Sequence, residues 1–478
     1  MELQKTPAAR AGFLILFLGN TLALMISFYG AIWIRYQISL WPIIYQQPIL
    51  PSLLIFTGLG QFIFYLFDLY NLRIKPNSLS LVLSIFISIL ITAAVMGGSY
   101  YFIPSLTHGR WILALATLLA MVLVSSWWLI YNHTFKIPGI RQRVLIVGSS
   151  QIGEAVAREI LSNPDLGYCL VGFIDECMAG RYSNPEDTVK VWGKGDNKFW
   201  TVPLIGTLGE FDQIVKNNRI DLITVALAER RMVFPLQILL NCKLNGIKVY
   251  EAIDFYEQLT GKILVQGLRP SWLIFCQGFN KSKTNEVLKR VLDVVISALG
   301  LILAAPLMAV TAILIKLESP GPIIFTQERV GKGEKTFQVY KFRSMTVDAE
   351  AKTGPVWATD KDPRITRVGW VIRKFRIDEL PQLLNILKGD MSFVGPRPER
   401  PHFVETLKKE IPYYPVRLTV KPGLTGWAQV NFPYGSSKED ALEKLQYDLF
   451  YIKNLSLFLD LVILLKTMSV IILAKGAK

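Results

Sequence analysis

The chain has 478 residues, enough for two or three domains that each bury a core of their own. Half of it is hydrophobic, and that half is gathered into long apolar runs, which excludes a purely soluble protein. A net charge of +15 admits nucleic acid, anionic lipid or phosphate-rich substrates as partners; no nucleic-acid module is recognisable, and the flanks of spanning helices account for much of the excess. Cys169, Cys177, Cys242 and Cys276 match no metal-ligand spacing and read as reduced packing residues. With only His108, His133 and His402, polar chemistry has to come from carboxylates, lysines and arginines.

Four apolar stretches, at about 12–34, 49–70, 79–103 and 111–131, each have the roughly 20 residues that a helix needs to cross a hydrocarbon core. The first lacks a clear cleavage site and reads as an anchor. Lys5 and Arg10 precede it, Arg73 and Lys75 lie between the second and third, and Lys136, Arg141 and Arg143 follow the fourth. The other two loops carry only Arg35 and Arg110, so the positive-inside rule predicts that both ends of this bundle are cytoplasmic. Asn20 and Asp68 are the notable polar residues of the bundle, and helix packing or an end position explains them better than a transport pathway does.

Residues 141–275 alternate strand-like and helix-like runs, with strands expected at 143–147, 168–174, 219–226 and 246–250. That predicts a small Rossmann-like domain with a parallel sheet. Its first turn, Gly148-Ser-Ser-Gln-Ile-Gly153, follows a strand and opens a helix, where backbone amides bind phosphate, and Asp175 ends the next strand as a candidate ribose contact. Ser150 replaces the second glycine of a dinucleotide fingerprint, and Glu154 stands where a P-loop needs lysine. Nucleotide binding and a vestigial or regulatory fold both remain open.

The third region starts near Lys289 with an apolar segment, 291–315, carrying Asp293 near its start and Pro306 near its middle. If it spanned, the charged domain after it would leave the cytoplasmic side. A helix that enters, breaks at Ala305-Pro306 and returns to the same face avoids this; the alternative is an ordinary fifth span with a proline kink. At the other end, Leu455–Leu473 is apolar but interrupted by Asp460 and Lys466, which favours a helix lying in the interface.

Asp360-Lys361-Asp362 looks like a DxD metal signature, but Asp362 belongs better to Asp362-Pro-Arg-Ile-Thr-Arg-Val-Gly369. The most informative stretch runs from Arg376 to Glu399, where the adjacent carboxylates Asp378 and Glu379 precede Leu-Pro and an apolar helical pattern. An Asp-Glu pair alone is usually a solvated feature. Here Lys341, Arg343 and Arg397 stand in turn-like settings suited to phosphate oxygens, and phosphoryl transfer needs a nucleophile, a metal ligand and such cations.

These runs resemble the bacterial sugar transferase family, the polyprenyl-phosphate phosphoglycosyl transferases. The matching segments are Lys289-Arg290-Val-Leu-Asp293, Ser319–Gly331, Lys341-Phe-Arg-Ser-Met345, Asp362–Thr366, Asp378-Glu-Leu-Pro-Gln382, Lys388–Ser392, Gly395-Pro-Arg-Pro398 and Lys421–Trp427. The spans and the Rossmann-like domain ahead of them resemble the large, multi-domain branch. Gly354-Pro-Val-Trp357 and Tyr447–Lys453 look closest to members serving exopolysaccharide assembly.

The resemblance implies a re-entrant helix and a covalent course. Asp378 would attack the sugar-linked phosphorus of a UDP-sugar and release UMP, and the phosphosugar would then pass to undecaprenyl phosphate. It implies Glu379 as a Mg²⁺ ligand and Arg397 as a phosphate contact. Lys289, Arg290, Arg329, Lys341, Arg343 and Arg364 join it as candidate substrate contacts. Arg376 departs from the family, in which many members carry a small hydroxyl residue there.

The expected architecture is therefore a four-span membrane bundle (1–135), a cytosolic Rossmann-like α/β domain (136–280) and an α/β catalytic domain with a re-entrant helix (281–478). It would sit in the bacterial inner membrane with the catalytic domain on the cytoplasmic face, as a homodimer by its domain layout. Two rivals are a membrane-bound nucleotide-sugar dehydratase or epimerase, which lacks the expected Tyr-x-x-x-Lys pair between 141 and 280, and a scaffold that senses nucleotide sugars.

Overall fold

The computed structural model describes residues 7–36, 49–67, 69–70, 79–103, 109–134, 141–175, 188–193, 199–227, 235–279, 282–346, 364–432, 435 and 437–472. Asp68, His108, Cys177, the Asp360–Asp362 run and Gly354–Trp357 lie outside them. The chain divides into two compact units, Met1–Thr260 and Gly261–Lys478.

The first unit opens with four long helices, α1 (Pro7–Tyr36), α2 (Ile49–Leu66), α3 (Leu79–Phe102) and α4 (Arg110–Thr134). Helix α1 packs against α2 and α4, and α3 against the same two. Leu16, Leu24, Phe28 and Ile32 of α1 face inward, while Leu18, Leu22 and Trp33 remain exposed, as on a helix whose outer solvent is hydrocarbon. Asn20 is fully buried and donates from Nδ2 to the Tyr70 hydroxyl at 3.3 Å. Tyr70 in turn donates to Gln61, whose Nε2 reaches the Phe17 carbonyl at 3.1 Å and the Thr21 hydroxyl at 2.6 Å. The packing reading of Asn20 holds: it belongs to a side-chain network that ties three sequence segments together.

The rest of the unit is an α/β domain: β1 (Gln142–Val147), α5 (Gln151–Ser162), β2 (Tyr168–Ile174), β3 (Thr188–Trp192), β4 (Phe199–Gly206), α6 (Phe211–Asn217), β5 (Leu222–Val225), α7 (Leu236–Leu244), β6 (Lys248–Glu251) and α8 (Ala252–Thr260). The strand order is β3-β4-β2-β1-β5-β6, parallel throughout except for the β3–β4 pair. Val144 to Val147 are completely buried, so the central strand reads as an unbroken apolar run. The β3–β4 hairpin was not among the expected strands; its residues alternate between faces and carry Lys190, Trp192 and Pro203, which weakens the signal.

The second unit contains α9 (Pro270–Phe275), α10 (Lys283–Glu318), the antiparallel hairpin β7 (Ile324–Val330) and β8 (Thr336–Phe342), α11 (Arg367–Lys374), α12 (Gln382–Lys388), β9 (Ser392–Val394), α13 (Pro401–Glu410), β10 (Gly423–Thr425), α14 (Trp427–Asn431), α15 (Lys438–Lys453) and α16 (Leu457–Ile472). Strands β9 and β10 form a short parallel pair. Residues 261–279, expected with the middle domain, pack here instead. Ile263 donates to the Gln446 carbonyl, the Trp427 indole to Gly261 and the Tyr413 hydroxyl to Leu268.

Helix α10 exceeds the apolar segment at both ends, and its helical backbone runs through Pro306 without a gap, so the expected break is not a separation into two helices. Asp293, the charge that looked out of place in an apolar run, is buried and accepts from the Ser392 hydroxyl at 3.1 Å and the Phe393 amide at 3.0 Å. Five helices, α1 to α4 and α10, are long and apolar enough among the described residues to cross a membrane, and the chain is a membrane protein.

Gly148 has φ +101°, and a Cβ placed there would lie 2.8 Å from the Ala226 carbonyl carbon. Gly148→Ala should therefore cost on the order of 1–3 kcal/mol. Thermal scanning of the purified protein checks this, with the lost transition expected in the α/β domain.

Candidate active site

Helix α11 ends at Lys374, and the chain reverses through Arg376 at φ 57° into a single 3₁₀ turn, Ile377–Glu379, before Pro381 opens α12. Ile377 and Leu380 anchor this turn in a cluster with Ile315, Phe342 and Ile372, packed also against Met308 and Ala312 of α10. The apolar residues on either side thus hold Asp378 and Glu379 in place, and both carboxylates line a cavity of about 1080 Å³ while remaining only 8% exposed.

The two acids differ in their company. Glu379 Oε1 lies 2.8 Å from Arg397 Nη2, 3.4 Å from Lys341 Nζ and 3.7 Å from Arg376 Nη1. Burial opposes its ionisation, but Arg397, Lys341 and Arg376 together outweigh burial and hold it well below the usual carboxylate range. Asp378 keeps a buried Oδ1 with no hydrogen-bond partner. Burial, and then the neighbouring Glu379 charge, pushes its carboxyl up to about 6 despite Lys341 and Arg376. Lys341 is itself lowered by burial, with Glu379 pulling the other way.

The other candidate cations divide. Arg329 and Arg364 line the same cavity, Arg329 while also donating to the Pro398 carbonyl at 3.1 Å and Gln327 Oε1 at 2.6 Å. Arg343 also lines it, but its guanidinium donates to the carbonyls of Ile315 (3.3 Å), Ser319 (2.7 Å) and Pro320 (2.8 Å), closing the C-terminal end of α10. Arg290 closes α12 in the same way, through the Ile386 and Leu387 carbonyls at 2.6 and 2.7 Å. Lys289 pairs with Asp460 at 2.6 Å. These three are engaged with the framework, and Lys289 and Arg290 are not brought to the dyad; proximity in sequence to a motif cannot separate a helix cap from a phosphate contact. The sequence reading missed Arg417, Lys444 and Asp448 as lining residues. Asp448 is the one acidic residue among the buried positions of α15, and its place just before Leu-Phe-Tyr-Ile was the signal available in the sequence.

In the α/β domain, Gly148, Gly153 and Asp175 do meet at the carboxyl ends of β1 and β2. Asp175 Oδ2, however, accepts from the Ser149 amide at 3.0 Å and from its hydroxyl, so the loop's own groups occupy the proposed ribose contact. Ser150 caps α5 through the Gly153 amide.

A hard divalent cation suits this donor set: Mg²⁺ is commonly held by one or two carboxylates plus substrate phosphates, and the unpartnered Asp378 oxygen beside Glu379 supplies oxygens of that kind. No cluster of three or more His, Cys, Asp or Glu occurs among the described residues.

A model of the bacterial sugar transferase family matches residues 284–474, and one described as a CoA-binding domain matches 65–250. A UDP-N-acetylgalactosamine-undecaprenyl-phosphate N-acetylgalactosaminephosphotransferase of Aeromonas hydrophila is 46% identical over 242 residues, 51% of this chain and 56% of that protein. A UDP-glucose:undecaprenyl-phosphate glucose-1-phosphate transferase of Caulobacter vibrioides is 46% identical over 186 residues, 38% of this chain and 68% of the relative. The chain belongs to the bacterial sugar transferase family. A third such transferase, a glucose-1-phosphate transferase of Klebsiella pneumoniae, is 33% identical over 337 residues, 68% of this chain and 67% of its own. The alignment with the Aeromonas sugar transferase thus spans little more than half of that relative.

The two acids should respond oppositely to neutralisation. Asp378 has a raised value, so its contribution to stability is complete below about pH 4 and is lost as the pH rises through about 6. Asp378→Asn should raise the melting temperature at pH 7.5, with the gain vanishing toward pH 4. Glu379→Gln leaves three cations facing one another and should cost on the order of 2–3 kcal/mol, less than a fully buried pair because those cations are 25 to 39% exposed. Thermal scans across pH distinguish the two.

Proposed function

We propose that this chain transfers a sugar 1-phosphate, a hexose 1-phosphate, from a UDP-sugar to undecaprenyl phosphate at the cytoplasmic face of the bacterial inner membrane, as the first lipid-linked step of exopolysaccharide or O-antigen assembly. The observation that carries this is the unequal dyad: Glu379 takes the cations, and Asp378, which lines the same cavity, keeps a carboxylate oxygen without a hydrogen-bond partner. The relatives' names, which pair nucleotide sugars with undecaprenyl phosphate, supply the substrate class.

In this reading an Asp378 oxygen attacks the sugar-linked phosphorus, and the bond to the bridging oxygen breaks as UMP departs. A phosphate oxygen of undecaprenyl phosphate then attacks the same phosphorus, and the Asp378 carboxylate leaves. Arg397 and Lys341, within 3.4 Å of Glu379, would neutralise charge on the phosphoryl oxygens, assisted by Arg376. Mg²⁺, held by Glu379 with Asp378 adjacent, would supply further charge neutralisation.

Two anchor points on one unit support a re-entrant α10. Arg290 and Asp293 dock its first part, and Arg343 grips the carbonyls at its end. Between them Ile302 and Leu303 are 70 and 79% exposed, a bare apolar stretch suited to the bilayer, with Pro306 beside it.

Purified protein with undecaprenyl phosphate, Mg²⁺ and UDP-glucose, UDP-galactose and UDP-N-acetylgalactosamine should release UMP with one donor, and Asp378→Asn should abolish release. Silence of the wild type with all donors would remove this reading. The acid limb of kcat/KM should fall near pH 6 rather than near 4, because Asp378 must be ionised to attack. In a cysteine-free background, single cysteines at Val287 and Leu317 should both label from the cytoplasmic side of sealed vesicles. Labelling from opposite sides would mean a fifth span.

A further inference from the structure

The loop that carries Arg397 has little means of holding itself. Pro396 and Pro398 flank the arginine, and neither has an amide hydrogen to donate, so the loop's shape depends on what its carbonyls meet. Three successive carbonyls are each taken from outside. Arg417 Nη2 donates to Arg397 at 3.0 Å, Arg329 Nη1 to Pro398 at 3.1 Å and the Val330 amide to Glu399 at 2.9 Å. Just before them, Gly423 donates to the Pro396 carbonyl at 2.9 Å.

Arg417 is the deeper of the two side-chain supports, 8% exposed in the 3₁₀ turn Tyr414–Thr419. Its Nη1 donates to the Tyr414 hydroxyl at 2.7 Å, and its Nη2 lies 3.0 Å from Oδ2 of the buried Asp448 on α15. An ion pair so far from water adds little net stability over an apolar pair of the same volume, so stability alone does not account for it. What the pair does provide is direction: a planar guanidinium held on one side by a carboxylate and a phenol has an Nη2 donor aimed at one place, the Arg397 carbonyl.

We infer that Arg417, oriented by Asp448 and Tyr414, is a positioning residue that fixes the backbone of Arg397 and so aims the Arg397 guanidinium at Glu379. None of its hydrogen bonds reaches the dyad; its effect passes through the 2.8 Å contact of Arg397 with Glu379. The turnover consequence rests on the transfer reading above; the effect on the loop does not.

The test pairs amide exchange with turnover in the full-length protein. Arg417→Lys keeps the charge but cannot present the same planar fork to all three acceptors. The amides of Gly395, Arg397, Glu399 and Arg400 should exchange faster than in wild type, while those of α12 are unchanged. UMP release should fall by about ten- to a hundredfold in kcat/KM, mainly through kcat. In an Arg397→Ala background the same substitution should add no more than about a twofold loss. Losses that multiply across the two sites, or loop exchange that does not change, would overturn the inference. Should Arg417→Lys not fold, Asp448→Asn disturbs the same link with less change of volume and is held to the same two criteria. If wild type releases no UMP, the transfer reading fails and loop exchange alone decides the role of Arg417.

Discussion

Two adjacent carboxylates taken out of water cannot both remain charged unless positive charge is brought to them, and the catalytic unit is arranged around meeting that condition for one of them. Lys341 comes from the hairpin, Arg376 from the turn itself and Arg397 from the loop after β9, and all three meet Glu379 Oε1 within 3.7 Å. With the local cations gathered there, Asp378 lies in a low-polarity setting beside a neighbour of like charge, and its proton is held more tightly than in water. That asymmetry separates two residues that are chemically almost the same into an ion-paired carboxylate and one that keeps an oxygen without a hydrogen-bond partner. It is the pattern by which paired acids elsewhere are given different roles.

The same turn couples the dyad to the membrane segment. Ile377 and Leu380 bracket the two acids and pack against the cluster that contains Ile315 of α10, so the dyad turn is tied to the apolar helix. Arg343 and Arg290 serve this attachment by closing helix ends whose carbonyls would otherwise be left without partners.

The middle domain has the topology of a nucleotide-binding sheet, with the Gly148 turn at the carboxyl end of its central strand. Its polar groups are largely spent on one another: Ser149 on Asp175, and Ser150 on the Ala226 carbonyl and the Gly153 amide. Glu154 in the first turn of α5 adds a negative charge where a phosphate would sit. The match of 65–250 to a CoA-binding model therefore agrees with the fold, while this loop is closed in the manner of a structural turn.

Much of this was legible in the sequence because the relevant signals are local. Twenty-residue apolar runs, the buried β1 run and the Asp378-Glu379 pair beside Leu-Pro each depend on neighbours within a few positions, and all appear where they were expected. The β3–β4 hairpin, the membership of residues 261–279 in the second unit and the division of the basic residues did not, because each depends on a partner far along the chain. Lys289 finds Asp460 and Arg417 finds Asp448 only after folding, and a lysine or arginine in a motif looks the same whether it caps a helix or faces a phosphate. The sequence by itself determined the membrane class and the α/β middle domain, since residue type and spacing suffice for those. Only the tertiary structure decided which acid is stabilised in its charged form, because that turns on two cations, Lys341 and Arg397, brought in from separate segments and on how much water burial removes.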